Sequence, residues 1–292
     1  MELRQLEYVV AVVDEGGFTR AAERLFVSQP SLSQGIRTLE RELGTALFDR
    51  LGRQVRLTAA GEALLEPARQ VLRDAATARS AVAAVRGLVA GRLDVVALPT
   101  LAVEPLAGLI GAFRVAHPGV MVRVAEPEDT DSLVELIRTG RCEIGLSELP
   151  EPELGLIFEP LVTQEVLVVL PPGTDPGPSR PFPVAALAGM PLITTGPGTS
   201  TRRLVDQALE AAGIEGNVAV ETAQREALVP LVLAGAGTTF LPGPLADEAA
   251  RRGAVVRSLD PPLRRTIGLL YRHGSLSPAA AEFRRITGER FA

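Results

Sequence analysis

Small polar side chains cluster between residues 28 and 37 of the chain. The apolar residues around them recur at helical spacing and must face a hydrophobic core; they are Leu32, Ile36, Leu39 and Leu43. The opposite side of that helix carries no large apolar residue, and its members are Gln29, Pro30, Ser33, Gln34 and Arg37. Amide, hydroxyl and guanidinium groups match the hydrogen-bonding base edges and phosphates of the DNA major groove. These residues therefore predict noncovalent recognition of DNA.

Two short helices and a hairpin are expected to hold this polar surface in place. Residues 18–33 predict two amphipathic helices joined by a tight turn, a helix-turn-helix whose second helix enters the major groove. Gly44 is placed to end that helix in a left-handed cap. The alternating polarity of residues 52–58 predicts a basic hairpin, or wing, with Arg53 at its tip within reach of a phosphate or the minor groove. An ordinary helical hairpin with a solvated face is the alternative interpretation.

Residues 1–60 resemble the DNA-binding domain of LysR-type transcriptional regulators. The segments that carry the resemblance are SQPSLS at 28–33, LFDR at 47–50 and VRLTAAG at 55–61. Carried over by position, the resemblance implies base or phosphate contacts at Gln29, Pro30, Ser31, Ser33, Gln34, Arg37 and Arg53. One departure is the pair Gln34-Gly35, where members of the family often have an Arg followed by a larger residue. A glycine in the middle of a helix costs about 1 kcal/mol relative to Ala.

An apolar stripe between Leu64 and Val85 predicts one long helix. Thr58 can cap its start, while Pro67 inside the pattern should kink the helix or remove a backbone hydrogen bond. A helix that leaves a compact domain in this way needs a partner, and the resemblance implies antiparallel packing of two copies in a dimer. The alternative is a helix folded back on its own domain. Glycines at 87 and 91 indicate a hinge.

From Arg92 onward, strands alternate with helices in two successive βαβαβ runs, which predicts a mostly parallel sheet covered by helices. The resemblance implies a two-lobed α/β effector domain of the type II periplasmic-binding-protein kind. The expected fold class is therefore α/β with a winged helix-turn-helix and a long linker helix. The expected boundaries are 1–58 for the winged domain, 59–91 for the linker, and 92–292 for the effector domain, with lobe I at about 92–161 and 267–292 and lobe II at about 162–266.

Ligands of open α/β sheets bind beyond the carboxyl ends of the strands, at helix N-termini. The loops at those ends supply the candidate effector-binding residues, which are Thr100, Leu101, Thr130, Thr195, Gly196, Thr199, Ser200, Thr201, Arg202 and Thr222. The resemblance implies that small polar residues at the positions of Thr100 and Thr130 hold the effector.

The loop 194–202 combines glycines, several hydroxyls and a helix N-terminus, which favours a carboxylate or another small anion. The alternative is that the loop is only a good turn and helix cap. Glu128, Asp129 and Asp131 indicate the opposite ligand class, a compound with a hydroxyl or an amine. The sequence leaves these interpretations open.

Several function classes find no support in the sequence. Its 292 residues carry a net charge of -5, and the single cysteine, Cys142, excludes a disulfide framework. The two histidines, His117 and His273, lie in no catalytic triad or metal-spaced cluster, and no phosphate-binding loop occurs. We therefore expect no catalytic residues, no metal and no cofactor. No signal peptide and no apolar run as long as a membrane span are found, so we expect a cytoplasmic protein without a membrane partner.

The combined expectation is a sequence-specific DNA-binding transcriptional regulator whose activity responds to a small-molecule effector, either a small carboxylate or another polar metabolite. Its expected partners are double-stranded operator DNA, the effector, further copies of itself in a dimer or homotetramer, and RNA polymerase. A carrier or sensor of small molecules with weak or lost DNA binding is the alternative, because the winged domain has balanced charge. An enzyme built on the two-lobed scaffold is a third interpretation.

Overall fold

The computed structural model describes residues 1–49, 55–84, 91–127, 129–148, 155–177 and 181–291. The chain divides into two compact units, Met1–Gly91 with Ser275–Ala281, and Arg92–Gly274 with Glu282–Ala292. The first unit contains the helix-turn-helix and the long helix, and the second contains the α/β part. The domain and lobe boundaries expected from the sequence stay a proposal. Lobe I denotes residues 92–161 and 267–292, and lobe II denotes residues 162–266.

The first unit begins with three helices, α1 at Leu3–Asp14, α2 at Phe18–Arg24 and α3 at Gln29–Leu43. They enclose a hydrophobic core, which includes Leu6, Val9, Leu32, Ile36 and Leu39, each at most 2% exposed. The prediction that Leu43 also faces this core was wrong, because its side chain is 42% exposed. It lies in the last turn of α3, beyond the point where α1 and α2 cover the helix.

Both ends of α3 are capped. The Ser28 hydroxyl accepts a hydrogen bond from the backbone N–H of Ser31 at the start of the helix. Gly44 ends the helix with φ 70°, which confirms the predicted left-handed cap. The turn before α3 also places Phe26 at φ 53°, with its side chain 96% exposed.

A short antiparallel hairpin follows, formed by β1 at Phe48–Asp49 and β2 at Arg56–Leu57. Its first strand lies earlier than the sequence pattern indicated, because Glu40 of α3 accepts hydrogen bonds from the backbone N–H groups of residues 47 and 48. Residues 50–54, and with them the predicted wing-tip residue Arg53, lie outside the described residues.

The long helix α4 spans Ala59–Ala84 and contains Pro67. As predicted, the Thr58 hydroxyl caps its start by accepting a hydrogen bond from the backbone N–H of Gly61. Ala68 packs in the core formed with α1–α3, and the neighbouring Arg69 forms an ion pair with Asp14 of α1 at 2.5 Å. Val71 and Val82 are instead 40% and 69% exposed, so this part of the apolar stripe is not covered by the residues that the structure describes.

The second unit is built on one seven-stranded sheet and two small two-stranded sheets. Its strands are β3 at Gly91–Ala97, β4 at Val120–Ala125, β5 at Ile144–Glu148, β6 at Leu156–Leu170, β7 at Phe182–Pro183, β8 at Leu192–Thr194, β9 at Val218–Glu221, β10 at Thr239–Pro242, β11 at Val255–Arg257, β12 at Leu259–Asp260 and β13 at Leu263–Arg272. The large sheet has the order β10-β6-β13-β5-β3-β4, with β11 also paired to β6.

Helices cover these strands. They are α5 at Pro99–Leu101, α6 at Ala107–Ala116, α7 at Thr130–Arg138, α8 at Ser200–Ala211, α9 at Leu228–Leu233, α10 at Gly243–Arg251 and α11 at Pro278–Phe291. Helix α7 begins at Thr130, where the Asp129 carboxylate caps it by accepting a hydrogen bond from the Ser132 backbone N–H at 2.8 Å. The mixed α/β architecture confirms the expected fold class. The prediction of a mostly parallel sheet was wrong, because β6 pairs antiparallel with β10, β11 and β13, and β13 pairs antiparallel with β5, while β3 and β5 are parallel.

Two long antiparallel strands, β6 and β13, run through both lobes and connect them. Their pairing register shifts between Ile267 and Gly268, close to the crossovers expected from the sequence. At this point a Cβ on Gly268 would lie 2.3 Å from the carbonyl oxygen of Glu159, so only glycine fits the close approach of the strands. On one side of the shift, at residues 267–271, β13 pairs with β5 of lobe I; on the other side, at residues 166–170, β6 pairs with β10 and β11 of lobe II.

The expectation that no apolar run is as long as a membrane span was wrong. Among the described residues, the helical run Pro99–Ala116 has the length and, with a mean hydropathy of 1.2, the composition of a membrane span. Glu104 interrupts it with φ -145° and ψ 122°, so α5 and α6 do not form one continuous helix. Leu106, Leu109 and Phe113 of this run are fully buried in the second unit.

Candidate functional site

The predicted DNA-reading residues lie along α3 at the surface of the first unit. Gln29, Pro30, Ser31, Gln34 and Arg37 are all exposed. Their side chains therefore form a continuous polar strip on the first two turns of a capped helix, which is how a recognition helix presents itself to a groove.

Ser33 differs from the other members of this predicted set. It is only 9% exposed, because it lies beside the core position Leu32 rather than in the middle of the polar strip. Its hydroxyl is thus the least accessible of the predicted DNA-contacting groups.

The unusual Gly35 has a packing reason. A Cβ at this position would lie 2.7 Å and 2.8 Å from two ring carbons of Tyr8, which is 6% exposed. The guanidinium of Arg4 lies over the same ring, 5.6 Å from its centroid. The glycine that departs from the family pattern therefore makes room for an aromatic ring from α1.

A second candidate site is a cleft in the α/β unit, between the end of β3 and the start of α8. Six of the predicted effector residues line it, namely Thr100, Thr195, Thr199, Ser200, Thr201 and Arg202. Apolar side chains complete the wall, including Leu98, Val205, Leu228 and Phe240. The cleft therefore combines an apolar wall with a cluster of hydroxyl groups, as ligand sites commonly do.

Arg265 lies beneath this cleft and joins both lobes. It is 5% exposed, and its guanidinium donates hydrogen bonds to Thr100 Oγ1 at 3.1 Å, Ser200 Oγ at 3.0 Å and Gln164 Oε1 at 2.7 Å. Gln164 faces Arg265 directly across the β6–β13 pairing. A residue of β13 thus fixes the two hydroxyls on opposite sides of the cleft.

The acceptors of the Arg265 guanidinium within the described part of the chain are uncharged. Among the described residues, no carboxylate lies within 4.0 Å of its guanidinium, and its acceptors are two hydroxyls and an amide. Burial lowers the pKa of Arg265 from 12.5 to about 10, while the charge of Glu148 acts in the opposite direction. Buried charges are normally paired, so an anion near the Arg265 guanidinium would stabilise its charge.

Glu148 reaches the same cluster through the Ser200 hydroxyl. Its carboxylate accepts a hydrogen bond from Ser200 Oγ at 2.5 Å and another from Arg203 at 2.7 Å. Arg203 also donates to Thr130 Oγ1 at 3.0 Å. Thr130, which is 8% exposed, therefore joins the predicted cluster through Arg203.

The first turn of α8 carries the loop that the sequence singled out. Thr199, at the N-cap position, makes no side-chain cap bond, because its hydroxyl donates to the carbonyl oxygen of Gly196 at 3.1 Å. Thr195 lies 2.6 Å from the Thr199 hydroxyl and donates to it. The open N-terminus supports the ligand-binding interpretation of this loop over the capping interpretation.

Two further arginines line the cleft in different electrostatic situations. Arg202 is already neutralised, since it donates to Asp206 at 2.7 Å and lies 3.6 Å from Glu221. Arg225 has no carboxylate within 4.0 Å among the described residues. Burial lowers its pKa, while the charges of Glu126 and Glu226 act to raise it.

Four other expectations for this site are changed by the structure. Leu101 is fully buried and packs in the core. Gly196 contributes its carbonyl oxygen to Thr199, and the Thr222 hydroxyl accepts a hydrogen bond from the Gln224 backbone N–H, so neither lines the cleft. Asp129, which had indicated an amine or hydroxyl ligand, is the cap of α7, and its hydrogen bonds to Ser132 lower its pKa. Glu128 lies outside the described residues.

The sequence did not single out Arg265, Glu148, Arg203 or Arg225 as effector-binding residues. The one sequence signal for Arg265 is the pair of charged residues Arg264-Arg265 beside the expected boundary between the lobes. Among the described residues, no group of three or more His, Cys, Asp or Glu side chains could hold a metal ion.

Two family models match the chain. The bacterial regulatory helix-turn-helix protein, lysR family, matches residues 3–62, and the LysR substrate binding domain matches residues 86–292. Together they cover most of the chain and separate it into the DNA-reading part and the cleft-bearing part.

Curated relatives and solved structures agree with these models. The chain is 32% identical over 280 residues to the DNA-binding transcriptional dual regulator OxyR of Escherichia coli K12, covering 94% of this chain and 90% of the relative. It is 30% identical over 290 residues to the nitrogen assimilation regulatory protein nac of Klebsiella aerogenes, with 98% and 94% covered. A full-length OxyR variant from Pseudomonas aeruginosa superposes with a TM-score of 0.81 at 28% identity, covering 100% of this chain and 96% of that one. Full-length CbnR in complex with its target DNA gives 0.65 at 26% identity, with 100% of both chains covered.

Proposed function

The chain belongs to the LysR family of DNA-binding transcriptional regulators with an effector-binding domain, and from this premise we propose that its interlobe cleft binds a small anionic effector, with a carboxylate as the favoured group. The relatives are transcriptional regulators and not enzymes. The observation that carries the proposal is the buried guanidinium of Arg265, which has no carboxylate within 4.0 Å among the described residues.

The direction of the hydrogen bonds supports the same ligand class. Arg265 donates to the Thr100 oxygen, so the Thr100 hydroxyl must direct its own proton elsewhere, and no acceptor for it occurs among the described residues. Thr130 is in the same situation, because Arg203 donates to its oxygen. Two hydroxyl donors and the open N-terminus of α8 all require acceptors, which a carboxylate provides and an amine does not.

Some relatives are named hydrogen peroxide-inducible genes activators, and we infer that this chain has no such response through thiol chemistry. Cys142 is the single cysteine, is 4% exposed, and has a pKa raised to about 11 by burial. The thiolate is the reactive form, so little of it exists near neutral pH. We infer that the effector is bound noncovalently and not sensed by oxidation of this thiol.

The DNA-binding unit and the assembly complete the proposal. The family binds DNA and forms oligomers, and we infer that Gln29, Pro30, Ser31, Ser33, Gln34, Arg37 and Arg53 contact the operator. The exposed Val71 and Val82 support dimerisation through α4. A homotetramer, a contact with RNA polymerase and action in the cytoplasm, where the DNA lies, are the finer parts of this proposal.

A ligand panel tests the effector class. Thermal unfolding of the full chain would be measured with small mono- and dicarboxylates and with their neutral amides, at constant ionic strength. Carboxylates should raise the melting temperature of the wild type in a saturable way. Arg265→Met should weaken that response by about 100-fold, since a charge about 6 Å from the anion is worth about 3 kcal/mol at an effective dielectric constant of 20.

Two outcomes would contradict this assignment. One is stabilisation by amides or amines and not by carboxylates. The other is an unchanged carboxylate response in Arg265→Met, which would move the anion away from the cluster of Thr100 and Ser200. Glu135→Gln, which alters an exposed ion pair with Arg138 on α7, is the control for a nonspecific change of charge.

A further inference from the structure

The carboxylate of Glu148 contacts groups of the opposite lobe with both of its oxygens. Glu148 is the last residue of β5 in lobe I. One oxygen accepts from Ser200 Oγ at 2.5 Å and the other from Arg203 at 2.7 Å, and both partners belong to the first turn of α8 in lobe II. The Glu148 side chain is 17% exposed, so it is held in the cluster and not in solvent.

One of these partners, Ser200, lines the cleft in which the proposed anion would be held, and the other, Arg203, lies in the same turn of α8. The Ser200 oxygen accepts from Arg265, which leaves its single proton as the donor that Glu148 now uses. Among the described residues, the hydrogen-bonded cluster contains the two positive charges of Arg203 and Arg265 and one negative charge, that of Glu148, while Asp129 acts on Arg203 only through its charge. Glu148 therefore supplies the hydrogen-bonded carboxylate of this cluster, at a place where positive charge is in excess.

We propose that Glu148 is an internal stand-in for the effector's carboxylate, which occupies Ser200 and Arg203 in the effector-free protein and is displaced when the effector binds. This proposal rests on the proposed function, because it concerns the same anion site. Glu148 then determines which ligands the cleft accepts, since a ligand must replace both a full negative charge and two acceptor oxygens.

The exchange also connects binding to the contact between the lobes. Glu148 and its two partners form a direct interlobe contact, and its release leaves Arg203 with Thr130, and Arg265 with Thr100, as the remaining interlobe hydrogen bonds of the cluster. A carboxylate replaces Glu148 without loss of charge compensation. A neutral amide of the same shape leaves both arginines without a counter-charge, so it should not compete.

The test uses the full chain and acetate as the probe, with acetamide as its neutral counterpart. The acetate concentration that gives half-maximal thermal stabilisation would be compared between the wild type and Glu148→Gln at constant ionic strength. The glutamine keeps the shape but removes the competing charge, so this concentration should fall at least tenfold. Glu135→Gln removes the same charge from an exposed pair on α7 and should leave it unchanged.

A second variant separates displacement from simple repulsion. Glu148→Asp keeps the charge but is one methylene shorter, so it cannot reach Ser200 and Arg203 together. It should lower the half-maximal acetate concentration severalfold. A value equal to that of the wild type would mean that only charge matters and would overturn the stand-in role.

The outcomes for the two proposals are distinct. If acetate stabilises the wild type and Glu148→Gln at the same concentration, the stand-in role is overturned while the anion site stands. If acetate and the larger carboxylates stabilise neither protein, the anion site fails and the stand-in role fails with it. Far-ultraviolet circular dichroism of each variant verifies folding, and a misfolded Glu148→Gln leaves the decision to Glu148→Asp, whose charge and hydrogen bonding are closest to the wild type.

Discussion

Substitution of Gly35 by alanine offers a sharp test of how the DNA-reading helix is built. In an open helix the change would stabilise the protein by about 1 kcal/mol, because glycine is a poor helix former. Here the new Cβ would lie 2.7 Å and 2.8 Å from ring carbons of Tyr8, well inside van der Waals contact. Overpacking of this kind costs about 1–3 kcal/mol. We therefore expect Gly35→Ala to destabilise the first unit by about 1–2 kcal/mol.

The sign of the effect should depend on Tyr8. Tyr8→Val removes the two ring carbons, so Gly35→Ala in the Tyr8→Val background should stabilise by about 0.5–1 kcal/mol. Urea unfolding would be followed by hydrogen-exchange mass spectrometry of peptides from α1 and α3, which confines the measurement to this unit. Gly111→Ala is the control, because nothing lies within 4 Å of a Cβ at that position in α6, and it should stabilise the α/β unit. Equal destabilisation by Gly35→Ala in both backgrounds would refute the reasoning.

Three further predictions concern DNA binding, assembly and the thiol. Arg37→Ala should weaken binding to all duplexes and reduce the slope of log Kd against log salt concentration by about 1, as for a phosphate contact; a loss confined to one sequence would indicate a base contact instead. Val82→Glu places a charge on the exposed stripe of α4 and should shift the assembly to smaller species in light scattering, whereas an unchanged mass would locate the dimer interface elsewhere. Cys142 has a pKa raised to about 11, so at pH 8 the folded protein should react with Ellman's reagent far more slowly than the urea-unfolded chain, and faster as the pH rises towards 11; rapid reaction of the folded protein at pH 8 would contradict its burial.

The sequence predicted the DNA-reading helix well because its signals are local. The left-handed Gly44 and the spacing of Leu32 and Ile36 both act within a few residues. The position of Leu43 was wrong because helical periodicity does not reveal where the neighbouring helices stop covering a helix. The role of Gly35 was equally out of reach, since it depends on a ring from α1.

The cleft was only partly predictable, for a different reason. The strand-end rule located Thr100 and the loop 194–202, of which residues 194, 195 and 199–202 line the cleft together with Thr100. Arg265 is separated by 165 residues from Thr100, and Ser200 by 52 from Glu148. Contacts of this range depend on strand register, such as the pairing of Arg265 with Gln164, which alternating polarity alone does not determine.

Acidic residues near the cleft show how a local motif can mislead. Asp129 lies beside Thr130, and the sequence allowed its carboxylate to face a ligand. The structure uses it as the cap of α7, a role that Asp performs readily. The carboxylate that does reach the cluster, Glu148, comes from the end of a strand, where the sequence offered no signal.

The most direct test of the account is a salt-titrated measurement of DNA binding. Fluorescence anisotropy would compare the purified full chain on a duplex from upstream of its own gene and on a scrambled duplex of equal composition. The account predicts preference for the upstream duplex and a steep fall in affinity with rising salt, as several phosphate contacts from an oligomer require. Equal and weak binding to both duplexes would contradict it and would favour a small-molecule carrier or sensor that no longer reads DNA.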